Sequence, residues 1–267
     1  MENVTEPFLL TLIVGLTMGL GSILSFFISS TNKRAMSLAM SFSAGIMIYI
    51  AFMEILPEGI HHIEDYLGER FGYIGQVWFF GGMFFTAILE GITHIFSGEV
   101  HSHGHDHYHE NEDGHLANLG LMSALAIGIH NIPEGLALFT AGFNDVTVAY
   151  PVAAAIIIHN IPLGMAISLP IAYSTGSKLK AFIYTLLVGL MQPLGAVIGY
   201  VFLSNNHNDL IFGILFSMVA GIMVFVSLDE LLPASQRAED HHISVYGAIL
   251  GMIVMAIALN LLGGHGH

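Results

Sequence analysis

The sequence predicts an all-α polytopic membrane protein: eight transmembrane helices in a 3+2+3 arrangement with inverted repeats. Three observations carry that prediction. Only 10% of the 267 residues are charged and 54% are hydrophobic, whereas soluble domains carry about 25% charged residues. The apolar residues gather in eight runs of roughly 20 or more, the length that crosses the hydrocarbon core as a helix. Segments near the start of the chain recur near its end, and one short phrase recurs in the middle.

In chain order the spans are expected near 7–30, 36–60, 71–96, 119–142, 147–172, 179–203, 209–233 and 243–262. The opening MENVTEPF lacks the basic segment of a secretory signal, so span 1 reads as a retained helix. Span 2 carries Glu54 and Pro57, span 3 ends near Glu90 and His94, and spans 4 and 5 carry the repeated phrase. Span 6 holds Gln192, span 7 ends at Glu230 and Pro233, and His241 and His242 open span 8. Loops are mostly short, so neighbouring spans run antiparallel.

Lys33 and Arg34 fall in loop 1–2, Lys178 and Lys180 in loop 5–6, and Arg237 in loop 7–8. Arg70 alone lies in loop 2–3. The positive-inside rule makes the first group cytoplasmic. The chain is then a multi-pass protein of the cell (inner) membrane, 1–267 forming one transmembrane domain with both termini outside the cytoplasm. With six Lys and Arg in total, nucleic acid is excluded as a partner. There is no Cys, so any metal site must use His, carboxylate or amide ligands.

The repeats are inverted. Ala44-Gly45-Ile46-Met47 through Glu54 and Pro57 matches Ala220-Gly221-Ile222-Met223 through Glu230 and Pro233. Val14-Gly15-Leu16 with Leu20-Gly21 matches Val188-Gly189-Leu190 with Leu194-Gly195. Spans 1 and 6 run in opposite directions, as do spans 4 and 5. Three helices, a central pair and three inverted helices around a midplane site are a transporter signature.

The repeated phrase is His130-Asn131-Ile132-Pro133-Glu134-Gly135, answered by His159-Asn160-Ile161-Pro162-Leu163-Gly164. Such polar residues are costly in hydrocarbon and have a task there. At about 1.5 Å of rise per residue, His130, His159 and Gln192 reach a similar depth near the bilayer centre. His130 and Glu134 share a helix face. Pro133 and Pro162 leave the carbonyls of Ile129 and Ile158 without their helical donors. The expectation is a metal ion between two broken helices. Imidazole nitrogen with carboxylate oxygen suits Zn²⁺, and also Fe²⁺, Mn²⁺ or Co²⁺.

These motifs, with the Leu-Pro ends of spans 2 and 7, resemble the ZIP family of divalent-metal transporters, most of all its bacterial ZupT-type branch. The resemblance covers nearly the whole chain. It implies eight spans, outward termini, a His-rich cytoplasmic loop, and uptake of zinc, with iron, manganese, cobalt or cadmium as further cargo. It implies a metal pair held by spans 4, 5 and 6. His130, Glu134 and His159 would belong to one site, and Asn131, Asn160 and Gln192 to the other, with Glu134 shared. It further implies a slide of spans 1, 4, 5 and 6 against spans 2, 3, 7 and 8, within a homodimer. The metal is bound substrate; no catalytic cofactor is implied.

Two positions depart from the family pattern: Leu163 and Gln192 stand where Glu is usual. A divalent ion beside Glu134 alone keeps a net charge of about +1 in a low dielectric. The expectation is therefore a single-metal site of His130, Glu134 and His159, completed by water or by an amide oxygen of Asn131, Asn160 or Gln192. Two other readings are a variant with altered substrate or impaired transport and an intramembrane zinc-dependent hydrolase. Against the hydrolase, no His-Glu-x-x-His phrase occurs and hydrolysis has no use for an inverted repeat.

Glu54, Glu58 and Glu230, with Asp229 and the His61–His62 and His241–His242 pairs, read as outer and inner steps of an ion pathway or as interfacial helix ends. Glu90 and His94 read equally as ligands or as an interfacial pair. The segment 98–117 is His-rich, reads as disordered, and suits weak, exchangeable metal capture. The methionines read as packing and the glycines as close helix contacts.

Overall fold

A computed structural model describes residues 4–27, 33–97, 128, 131–143, 146–203, 208–238 and 241–262. The elements formed there are all helical. Helix α1 is Thr5–Ser25. Helix α2 runs Lys33–Ile50, widens to a π-helical turn at Ala51–Ile55 and continues as Leu56–Leu67. A 3₁₀ turn, Glu69–Phe71, leads into α3, Tyr73–Ser97. Residues 131–143 form α4, and α5 is Val146–Thr175. Helix α6 is Lys178–Gly189, interrupted at Leu190 and resumed as Met191–Leu203. Helix α7 runs Asp209–Val226, a π-helical turn Ser227–Leu231, then Leu232–Ala238. Helix α8 is His241–Leu262.

Among the described residues seven helices are long and apolar enough to cross a membrane, and α4 is the described part of the remaining span. The rest of span 4, including His130, and the His-rich segment 98–117 lie outside the described residues.

Local chemistry sets the ends. Gly68 at φ 101° and Gly176 at φ 62° end α2 and α5 in a region that L side chains avoid. The Ser177 hydroxyl accepts from the Lys180 amide at the start of α6, and Asn208 Oδ1 accepts from the Leu210 amide at the start of α7.

The expected break at Pro162 is not observed, and the turn before Pro133 includes residues 129 and 130, which lie outside the described residues. Helix α5 is continuous over 30 residues with Pro151, Pro162 and Pro170 inside it, and α4 is helical through Pro133. Membrane helices tolerate proline where neighbours supply the missing donors. The carbonyl that Pro162 deprives of its donor is that of Ile158; next to it, the Ser43 hydroxyl on α2 donates to the His159 carbonyl at 3.0 Å. The irregular turns fall elsewhere. Pro57 and Pro233 each follow a π-helical turn, which lets the chain absorb the lost donor and the ring's bulk. Pro193 sits in the first turn after the interruption of α6, where its missing N–H is no loss.

Glycines set the packing. In a membrane, helices have no mutual hydrophobic drive, and small residues let backbones approach. A Cβ on Gly21 would strike the Ile161 carbonyl, and one on Gly195 the Ile132 carbonyl. The same holds for Gly164 with Met18, Gly135 with Gln192, Gly45 with Ala248, Gly221 with Phe79, Gly82 with Met218 and Gly251 with Phe42. These contacts come in inversion-related pairs, and Gly15 and Gly189 face each other where the halves meet. Among the described residues, every close glycine contact between helices stays within α1, α4, α5 and α6 or within α2, α3, α7 and α8. The two groups meet chiefly where α2 packs along α5.

Candidate metal centre

Four helices of the first group place the central phrase. Helix α4 carries Asn131 and Glu134, α5 carries His159 and Asn160, α6 carries Gln192, and α1 lies against α5 and α6. Asn131, His159, Asn160 and Gln192 are fully buried and Glu134 is 1% exposed. Gly135 lets α4 approach the Gln192 backbone, and Gly164 lets α5 approach α1.

The nitrogens of the amide side chains are consumed. Asn131 Nδ2 donates to the Val188 carbonyl at 2.8 Å and to Met18 Sδ at 3.1 Å. Asn160 Nδ2 donates to the Val14 carbonyl at 3.2 Å and to Gln192 Oε1 at 3.3 Å. Gln192 Nε2 in turn donates to Glu134 Oε2 at 2.9 Å. A directional chain therefore runs from Asn160 through Gln192 to Glu134.

What remains is acceptor chemistry. Asn131 Oδ1 and Asn160 Oδ1 are buried acceptors with no hydrogen-bond partner among the described residues, and neither ring nitrogen of His159, of which one is an acceptor in the neutral imidazole, has one, a costly arrangement unless another group is to be received there. His159 Nε2 stands 3.0 Å from Glu134 Oε1, yet the contact is not aligned as a hydrogen bond. Two ligands about 2.0–2.1 Å from one Zn²⁺ stand roughly 3 Å apart, so the spacing fits a shared ion.

Of the six expected ligands, Glu134, His159, Asn160 and Gln192 are linked by direct side-chain contacts, and Asn131, one turn before Glu134 on α4, is buried with its side chain on Val188 and Met18. His130 lies outside the described residues. Leu163 is fully buried in the apolar core. Glu54 and Glu230 lie in the two π-helical turns and are half-buried. Glu58 pairs with His62 at 3.5 Å, and His62 reaches Asp209 at 3.8 Å. Among the described residues these acids make no group of three His, Asp or Glu able to hold a metal. Glu90 is half-buried, and the side chain of His94 is not among those described.

Sequence reasoning missed Met18 and Ser43. Met18 is no mere filler, since it accepts from Asn131. The signal was present: aligning Val14-Gly15-Leu16 with Val188-Gly189-Leu190 puts Met18 opposite Gln192. Ser43 precedes the repeated Ala44-Gly45 and carried no signal beyond its polarity.

A buried His–carboxylate–amide group inside an inverted-repeat bundle of membrane helices belongs to the class of polytopic metal-ion transporters. Residues 5–259 match the family described as ZIP Zinc transporter. The zinc transporter ZupT of Clostridium perfringens (strain 13 / Type A) is 43% identical over 277 residues, spanning 98% of this chain and 97% of its own. Those of Streptococcus mutans serotype c and Lysinibacillus sphaericus (strain C3-41) are 44% and 46% identical, each across 97% of this chain and 98% of its own. The chain belongs to the ZIP family. It is a multi-pass membrane transporter of divalent metal, zinc foremost, and not an enzyme; the hydrolase reading is set aside.

Proposed function

We propose that this protein carries one divalent ion at a time into the cytoplasm, zinc in preference to Fe²⁺, Mn²⁺, Co²⁺ or Cd²⁺. His130, Glu134 and His159 bind the ion, and the Asn131 and Asn160 oxygens complete its shell. Gln192 orients Glu134. The observation that carries the single ion is the contact of Gln192 Nε2 with Glu134 Oε2. An N–H donor occupies the side of the carboxylate where a second cation would sit. With one carboxylate the loaded site keeps a charge of about +1, which holds the ion weakly enough to release it.

Inward uptake with both termini outside rests on the cytoplasmic side assigned by five of the six basic residues. Glu54 and Glu58 receive the ion and Glu230 passes it on; the segment 98–117 captures it weakly on arrival. Movement is a slide of α1, α4, α5 and α6 against α2, α3, α7 and α8, in a homodimer. Glycine contacts that stay within each group support it. Backbones locked by glycines move together, while the α2–α5 face carries no such lock among the described residues.

Calorimetry on the purified protein is expected to give one Zn²⁺ per chain at the central site, with zinc-65 entering proteoliposomes. Two tightly bound ions at these residues would overturn the single-ion reading, and absence of flux the transport reading.

A further inference from the structure

The inversion pairs atoms as well as helices. Val14 and Val188 offer their carbonyls to Asn160 and Asn131. Gly21 meets Ile161 as Gly195 meets Ile132, and Gly164 meets Met18 as Gly135 meets Gln192. In this register Met18 answers to Gln192, and Leu163 answers to Glu134.

The backbone contacts are the same in the two halves; the chemistry at their centre is not. In one half the donor chain runs from Asn160 to Gln192 Oε1, and Gln192 Nε2 passes it to Glu134. In the other half it runs from Asn131 to Met18 Sδ and stops, because a thioether accepts weakly and donates nothing. A carboxylate at 163 would therefore have no donor from α1. Leu163 and Met18 instead share the same buried apolar cluster.

We propose that Met18 and Leu163 form an apolar seal over the position mirror-related to the Glu134–Gln192 pair, and that Met18, together with Leu163, restricts the protein to one bound ion. The proposal rests on the single-ion reading and deepens it. Replacing Leu163 alone leaves a buried carboxylate facing a thioether. Replacing both rebuilds the chain from the Val188 carbonyl through Asn131 and a glutamine at 18 to a glutamate at 163.

The test is a double-mutant cycle on the full-length protein, read by calorimetric Zn²⁺ stoichiometry and by thermal unfolding in detergent without metal. Wild type, Met18→Gln and Leu163→Glu are each expected to bind one ion, and the double variant two. Leu163→Glu is expected to unfold at a lower temperature than wild type, and the double variant to regain part of the loss. A second ion in Leu163→Glu alone, a folded double variant with one ion, or a double variant no more stable than Leu163→Glu would each overturn the seal. Two ions in wild type would instead overturn the single-ion reading beneath it.

Discussion

Helices α1, α4, α5 and α6 and helices α2, α3, α7 and α8 are locked internally by the same device, glycines set against the carbonyls of a neighbour. They differ in what the lock protects. The first group encloses a chain of amides ending on a buried carboxylate. The second is joined in its interior by plain hydroxyl contacts, such as Ser37 with Ser235 at 2.9 Å. Where the groups meet, at α2 and α5, the described contact includes the Ser43 hydroxyl on the carbonyl of His159. Under the proposed slide, contacts fixed at the level of the backbone define the two bodies, and contacts made by side chains define the face between them.

The comparison is tested most severely at its chemical centre. Glu134→Gln keeps the shape of the side chain and removes the only carboxylate of the described cluster. Loss of a residue that merely supports a ligand costs roughly 10–100-fold in metal affinity. Removal of the charged ligand itself is expected to exceed about 100-fold, read as zinc-65 uptake at equal insertion. Gln192→Leu is the next step down. It strips Glu134 Oε2 and Asn160 Nδ2 of a partner and is expected to weaken zinc binding by roughly 10–100-fold while the carboxylate stays. Equal losses in the two variants would mean that Gln192 is a ligand and does not act through Glu134.

The glycine lock is tested by overpacking. Gly21→Ala and Gly195→Ala place a methyl group against inversion-related carbonyls and are each expected to destabilise by about 1–3 kcal/mol. Gly81→Ala meets only Trp78 at ordinary contact distance and is expected to stay within about 0.5 kcal/mol of wild type. Thermal unfolding in detergent reads all three. Unequal effects at Gly21 and Gly195 would break the mirror relation between the halves.

The helical, membrane-spanning fold and the burial of the repeated phrase were legible because each rests on long apolar runs or on a phrase written twice. Helix ends were less so. Helix α2 continues through His61, His62 and Asp65 to Leu67, since an amphipathic end needs no apolar run once it leaves the hydrocarbon. Proline chemistry was legible in kind but not in place: α5 absorbs three prolines without a break, while Pro57 and Pro233 coincide with widened turns. That outcome depends on which neighbours supply donors, a tertiary property. Met18 was hidden for a different reason. Methionine in a span reads as packing, and its role shows only when α1 is seen beside Asn131.

The smallest effect is expected at the face between the groups, and its readout distinguishes sliding from folding. Ser43 donates to the His159 carbonyl, both residues being fully buried. If α5 travels past α2 in each transport cycle, this bond is made in one state and lost in the other. A hydrogen bond contributes about 0.5–1.5 kcal/mol net, so Ser43→Ala is expected to change the rate of zinc-65 equilibrium exchange by roughly two- to tenfold. Zinc affinity and unfolding temperature should move little. Ser43→Thr keeps the hydroxyl and should restore the wild-type rate. Ser37→Ala removes a comparable bond inside one group and should lower stability without changing exchange. If Ser43→Ala and Ser37→Ala behave alike, the α2–α5 face is another interior contact and the bundle moves as one body.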